Sequence, residues 1–271
     1  MPLWDNECDV LVDQELSING TFRKTPLQYK HQETLNRMND NNLPDGVRLI
    51  KALYARMVEN WELGGSPQNT SDENWRFTQC LVLGKNNYTH EVTLERTMIT
   101  VLNNENWVNQ IPVDSGLLEN SNRSVDLAYR EGNTIQLIEL KVDSNTPLSA
   151  AIQILKYGLT NAFFRTHSEE LETQNLQTPL LSADEIQLRV LAPAAYYNRF
   201  DEQTEWLRNF GNRINDGLAE FSAKQLMDSG MNLTTFQFEV FPDNFQWDPT
   251  RQADDEHRKE VLTAVNGRRP L

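Results

Sequence analysis

Apolar side chains return at helical spacing between residues 47 and 61, where Val47, Ile50, Leu53, Tyr54, Met57 and Trp61 fall on one face. That spacing predicts an amphipathic helix, which Leu63-Gly64-Gly65-Ser66-Pro67 brings to an end. Trp61 and Trp75 read as core aromatics, with base stacking as the functional alternative. A second run, 201–227, aligns Trp206, Leu207, Phe210, Ile214, Leu218 and Phe221. A third, 90–103, is capped by Thr89 and carries Leu94, Met98, Val101 and Leu102 on one side. Residues 28–38 are rich in helix formers, and 254–265 suits a terminal helix in a charged tail that otherwise reads as partly disordered from 243.

Period-two patterns predict the strands. Residues 124–130 alternate, Glu131-Gly132-Asn133 is turn chemistry, and 134–142 (TIQLIELKV) is β-branched and apolar, so a hairpin follows. Other strand candidates are 107–118 with a bend at Pro112, 186–197 as a buried strand, 233–241, and two short pieces at 76–83 and 9–12. Turns and loops fall at 84–87, at 120–123, and across the polar stretch 167–185, which contains Pro179 and at most one helical turn. After the hairpin, 147–166 predicts a helix with Thr146 or Asn145 as cap and Pro147 in the first turn. Ala151, Ile154, Leu155 and Leu159 form its stripe, while Gln153 and Tyr157, four apart, share another face. From residue 90 the order is helix, three strands, helix, strand. The expectation is an α/β protein with a core over 86–200, a partly helical extension over 1–85, and a helix, strand and charged tail over 201–271.

The chemistry concentrates in 124–157 (SVDLAYREGNTIQLIELKVDSNTPLSAAIQILKY). Asp126 sits on one arm of the hairpin. Glu139 and Lys141 project from the same face of the other arm, with Leu137 beside them. Two carboxylates that close repel unless a cation lies between them. Mg²⁺ (or Mn²⁺) suits such a pair, because it prefers hard oxygen ligands and keeps waters for a phosphate to displace. A bound ion would lower the pKa of a water nucleophile, and Lys141 would orient that water or steady the charge on phosphorus.

The ordered set Val125-Asp126, Glu139-Leu140-Lys141 and Gln153-Ile154-Leu155-Lys156-Tyr157 resembles the PD-(D/E)XK nuclease superfamily. The Gln-x-x-x-Tyr helix is similar to the branch that holds RecB-type nucleases and related DNA-end or mismatch endonucleases. The resemblance covers about a third of the chain, and Val125 stands where the motif's proline would be. It implies a restriction-endonuclease-like core (αβββαβ, a mixed sheet flanked by helices) and a Mg²⁺-dependent DNA endonuclease. In that reading Asp126 and Glu139 bind metal, Lys141 acts on the water, and Gln153 and Tyr157 support the site or the substrate strand. The helix before the hairpin would add one acid. Glu91, which opens a Glu-x-x-Leu pattern, is favoured, and Glu95, one turn later on the same face, is the substitute.

Composition narrows the classes. The chain has 271 residues, 38% hydrophobic and 24% charged, as in a globular protein. It has no run long enough to span a membrane and an N-terminus unlike a signal peptide, so a cytoplasmic location is the expectation. Cys8 and Cys80 are too few for a zinc site, and the four histidines are scattered. Phosphate-cradling glycine loops, dinucleotide fingerprints, His-Glu-x-x-His and Gly-x-Ser-x-Gly are absent from the sequence. The formal charge of −14 runs against a DNA substrate. It is uneven, however. Residues 1–16 hold Asp5, Glu7, Asp9, Asp13 and Glu15 without one Lys or Arg, whereas 121–165 hold five basic against four acidic side chains. The acidity motivates two rivals: a non-catalytic nuclease-like module that binds a protein or nucleic acid, and an acidic decoy whose N-terminal carboxylates mimic phosphate. A protein partner would supply grip on DNA, and oligomeric state is left open, with a homodimer among the options.

Overall fold

The computed structural model describes residues 3–18, 27–36, 38–65, 71, 73–82, 89–113, 124–171, 177–199 and 205–271. Predicted features in 84–87, 114–123 and 201–204 lie outside that set. In chain order the helices are α1 (Asn6–Glu15), α2 (Gln32–Leu35), α3 (Gly46–Gly64), α4 (His90–Leu102), α5 (Pro147–Thr166), α6 (Pro179–Ser182), α7 (Ala194–Asn198), α8 (Glu205–Gln225) and α9 (Asp255–Asn266). The strands are β1 (Trp107–Pro112), β2 (Ser124–Glu131), β3 (Thr134–Leu140), β4 (Glu185–Ala192), β5 (Asn232–Val240) and β6 (Arg269–Pro270).

These strands form one six-stranded mixed sheet in the order β1-β2-β3-β4-β5-β6. β1, β2 and β3 run antiparallel as a meander. β3, β4 and β5 are parallel, joined through α5 and α8, and β6 returns antiparallel at the edge. Helices cover both faces. α5 and α8 pack on one side, with α3 against α8 and α1 against α3, while α4 and α9 pack together on the other. The larger core takes Ile135, Leu137, Ile186, Leu188 and Phe236 from the sheet, and the smaller takes Leu127, Ile138, Leu140, Leu191 and Phe241. The larger core draws on all three sequence segments, since α1, α3 and α8 contribute beside α5.

Several local expectations are corrected. Residues 9–12 are helical, because Asp5 caps α1 by accepting the amides of Glu7 and Cys8, and Cys8, Val12 and Leu16 form a buried stripe at i, i+4. The stretch 28–38 breaks into a three-residue turn (Gln28–Lys30) and α2, with His31 extended between them. The buried carboxylate of Asp13 accepts the amides of Gln28 (2.9 Å) and Tyr29 (3.1 Å), which have no partner within a helix that starts there, and so fixes the start of the turn. Residues 76–82 form no strand. The Asn109 side chain takes both backbone groups of Cys80 at 2.8 Å and replaces a ladder with one amide clasp. β4 stops at Ala192 because Pro193 turns the chain into α7. The tail is ordered, with Asp254 capping α9 and Trp247 stacked on the buried His257 ring.

Helices α3 and α8 touch backbone to backbone. A Cβ on Gly217 would stand 2.3 Å from the Gly46 carbonyl oxygen, whereas one on Gly211 would meet only the Phe236 ring at 3.6 Å. Gly217→Ala is therefore expected to destabilise by about 2 kcal/mol, which lowers the melting midpoint by roughly 4–8 °C. Gly211→Ala on the same helix should hold or raise it, because alanine is the better helix former. Differential scanning calorimetry of the two variants checks the pair.

Candidate active site

The hairpin of β2 and β3 is closed by Gly132 at φ +61°, and its arms pair from Glu131–Thr134 down to Leu127–Ile138. There the arms part. Leu140 N–H donates to Asp126 Oδ2 (2.9 Å) in place of a backbone partner. On the opposite neighbour, Gln110 of β1 falls between the pairs Asn109–Leu127 and Ile111–Val125, level with Asp126, and has φ +49°. A left-handed backbone in a non-glycine strand residue is strained. Its effect is visible in the cores: Val108 and Ile111, three apart rather than two, both enter the larger one. The sheet is thus irregular on both sides of Asp126.

Glu139 is fully buried and Lys141 nearly so. Lys141 Nζ donates to Glu139 Oε1 at 2.5 Å, while its own amide continues the ladder to Leu191. Glu139 Oε2 is buried and receives no hydrogen bond from any described residue. The carboxyl groups of Glu139 and Asp126 lie close enough to act on each other electrostatically. Burial pushes Glu139 up to about 8, and the Asp126 charge adds to that, against the pull of Lys141. Asp126 is also raised, by burial first, with Lys141 and the Leu140 amide opposing. Lys141 moves above its ordinary range: burial acts against its charge, but Glu139 and Asp126 outweigh it. Two carboxyls and one ammonium, all desolvated, leave one excess negative charge that needs a proton or a cation.

The two glutamates of α4 have separate roles. Glu91 Oε1 accepts from Ser144 Oγ (2.6 Å), Ser144 N (3.2 Å) and Val142 N (3.3 Å), binding α4 to the loop after β3. Burial acts to raise Glu91, yet the Ser144 and Val142 bonds and the Lys141 charge hold it below its usual value. Glu95, buried, accepts from Asn109 Nδ2 (2.5 Å) and from Gln110 Nε2. Burial and the Asp126 charge raise it to about 8. Both lie within the field of the pair, but both are held by other donors. Among the described residues, no group of three or more His, Cys, Asp or Glu side chains is arranged to hold a metal ion. The residues that fit a divalent ion are Asp126 and Glu139, on the evidence of the undonated buried oxygen of Glu139. Two carboxylates are within what Mg²⁺ requires of a protein.

Gln153 and Tyr157 are brought together, Gln153 Nε2 donating to Tyr157 Oη at 3.3 Å. They line a neighbouring cleft of about 350 Å³ that reaches Ser124 on β2, not the Glu139 carboxyl itself.

Comparison with protein-family models, curated proteins and solved structures finds no match to this chain.

Other residues of the site carried little signal in the sequence. Asn109 and Gln110 are polar side chains inside a buried strand, which was the available hint. Ser144 looks like ordinary turn composition. Tyr196, buried on α7, lies in the electrostatic field of Lys141 and Glu139. Its ring carries the Arg199 guanidinium at 4.6 Å, and Arg199 also donates to the Asp143 and Asn145 carbonyls. With His90 Nδ1 2.6 Å from Asp143 Oδ2, that fixes the loop between β3 and α5.

Proposed function

We propose that the chain is a metal-dependent deoxyribonuclease, hydrolysing phosphodiester bonds at Asp126, Glu139 and Lys141. The observation that carries the reading is the buried Glu139 oxygen without a donor, beside a second carboxyl and a fixed ammonium. A divalent ion held by Asp126 and Glu139, with Glu91 or Glu95 as outer support, would supply an acidified water and neutralise charge on phosphate. Glu139 fixes Lys141, and the Lys141 ammonium, charged throughout the physiological range, donates to the attacking oxygen or to the phosphate oxygens. Glu91 sets the loop that follows Lys141. The resemblance in motif order and the helix-three-strand-helix-strand sequence of elements support this reading.

The test is a cleavage panel: linear, circular, single-stranded and mismatched DNA, and RNA, each with Mg²⁺, Mn²⁺ or chelator. Chelator-sensitive cutting of at least one DNA is the expected result, and its absence across the panel overturns the reading. The engagement of Lys141 with Glu139, and of both α4 acids with other donors, favours a second reading, a nuclease-like module that only binds. Titration calorimetry with no heat on adding Mn²⁺ would select it.

The decoy reading is the least supported of the three. Asp5 caps α1 and pairs with Arg56 (3.2 Å), Asp13 is buried, and Glu15 pairs with Arg48 (2.6 Å). Those three carboxylates are engaged within the chain, which weighs against a displayed anionic surface, although Glu7 is exposed.

A further inference from the structure

We propose that Gln110 is a positioning residue: its left-handed backbone turns its side chain onto Glu95 and, with Asn109, holds that carboxyl beside Asp126 but out of contact with the divalent ion. This rests on the nuclease reading for the ion, and on residues of β1 and α4 for its geometry.

Consecutive strand residues send their side chains to opposite faces. Asn109 and Gln110 break that rule. Asn109 Nδ2 donates to Glu95 Oε1 (2.5 Å) and Gln110 Nε2 donates to Glu95 Oε2, so two neighbours grip one carboxyl by an oxygen each. The φ of +49° at Gln110 is what brings both amides to the same side. A residue with a Cβ keeps such a backbone only where its surroundings fix it. Here they do. Asn109 is anchored to both backbone groups of Cys80, each at 2.8 Å. Ser124 Oγ donates to Gln110 Oε1 (3.4 Å), which ties the Gln110 amide to β2 two residues before Asp126. Arg96 Nη1 stands 3.5 Å from Glu95 Oε1. Gln110 itself falls level with Asp126. The Asp126 charge acts on Glu95, so the two acids are close in space. They differ from the pair on β2 and β3 in one respect. Both oxygens of Glu95 receive donors, whereas Glu139 Oε2 receives none from any described residue. The amide donors therefore withhold a buried carboxyl from the ion that Asp126 and Glu139 would share. Removing the Gln110 amide leaves Glu95 Oε2 undonated and able to turn to that ion.

The experiment reads metal binding apart from cutting, by titration calorimetry of Mn²⁺ into the full chain, with melting midpoints alongside. Gln110→Gly accepts the positive φ without strain and lacks the amide. It is expected to bind Mn²⁺ about tenfold more tightly than the parent, because affinity for a hard cation follows the number of charged ligands. Gln110→Asn, which also tolerates that backbone but is one methylene short, should act alike and serves if the glycine variant does not fold. Glu95→Gln in the parent should change Mn²⁺ affinity by less than about threefold, since the ligand count is unchanged. Combined with Gln110→Gly it should cancel the gain, a coupling between positions 110 and 95 that a purely structural role would not give. Unchanged Mn²⁺ affinity in both position-110 variants, at preserved midpoints, overturns the positioning role even if chelator-sensitive cutting is found. So does a tenfold loss in Glu95→Gln alone, which would make Glu95 a ligand. The coupling without cutting of any DNA overturns the nuclease reading and leaves the positioning role. Absence of Mn²⁺ binding in the parent and in both variants overturns the two together.

Discussion

Lys141→Ala and Glu139→Gln should each lower DNA cleavage by about a hundred- to a thousandfold, the range seen when one preorganised electrostatic group at a reacting centre is removed. The two losses have different origins. Glu139→Gln keeps the shape but halves the anionic charge offered to an ion, so the variant should require far more Mg²⁺ for any residual activity. Lys141→Ala keeps both carboxylates and should still bind the ion, with the rate lost at saturating metal. Single-turnover kinetics over a metal series separates them. Lys141→Arg is a poor rescue, because a planar guanidinium cannot reproduce a point donor 2.5 Å from Glu139 Oε1. Unaltered rates in both variants would falsify the assignment of these residues to the chemistry.

The second large effect is on stability and runs with pH. Glu139 and Glu95 are each raised from an ordinary 4.5 to about 8 in the folded chain. Between those two values the folded state keeps protons that the unfolded state has released, so stability falls as pH rises through the window, by up to about 1.4 kcal/mol per pH unit for each group. Lys141 stays charged in both states there and does not alter the sign. The carboxyls titrate as a cluster, so the expected curve is one broad decline rather than two steps. Glu139→Gln should flatten it and stabilise the chain on the alkaline side, at the expense of cleavage. Mn²⁺ or Mg²⁺ should raise the midpoint most where the carboxyls would otherwise be ionised, near pH 8, and little near pH 5. Melting curves across that range, with and without the ion, give both signs. A midpoint that rises steadily from pH 5 to 8 without metal would remove the buried excess carboxyl from the account.

How much of this was legible depended on how local each determinant is. The hairpin could be read because Gly132, which takes φ +61°, and the alternation of 134–140 are neighbours in sequence. The meeting of Asp126, Glu139 and Lys141 followed from the same two-residue period. Helix α5 came out at its boundaries because Thr146, Pro147 and the apolar stripe are all within it. By contrast, the partners of Glu95 depend on the left-handed backbone of Gln110, which nothing in Asn109-Gln110-Ile111 announces. Likewise the anchoring of the 28–30 turn was invisible, because the carboxylate that holds it, Asp13, is fifteen positions from Gln28. Pattern reading recovered what a strand or helix decides for itself and missed what one buried side chain imposes on a distant backbone.

The short return of Arg269–Pro270 onto Glu239–Val240, with Leu271 N–H reaching the Phe238 carbonyl, has a bearing on how copies of the chain avoid one another. It occupies the outer margin of β5 with a residue that has no amide hydrogen and another that is always charged. A strand from a second molecule would find neither a regular ladder nor a neutral surface to extend, which is how open sheets escape edge-to-edge polymerisation.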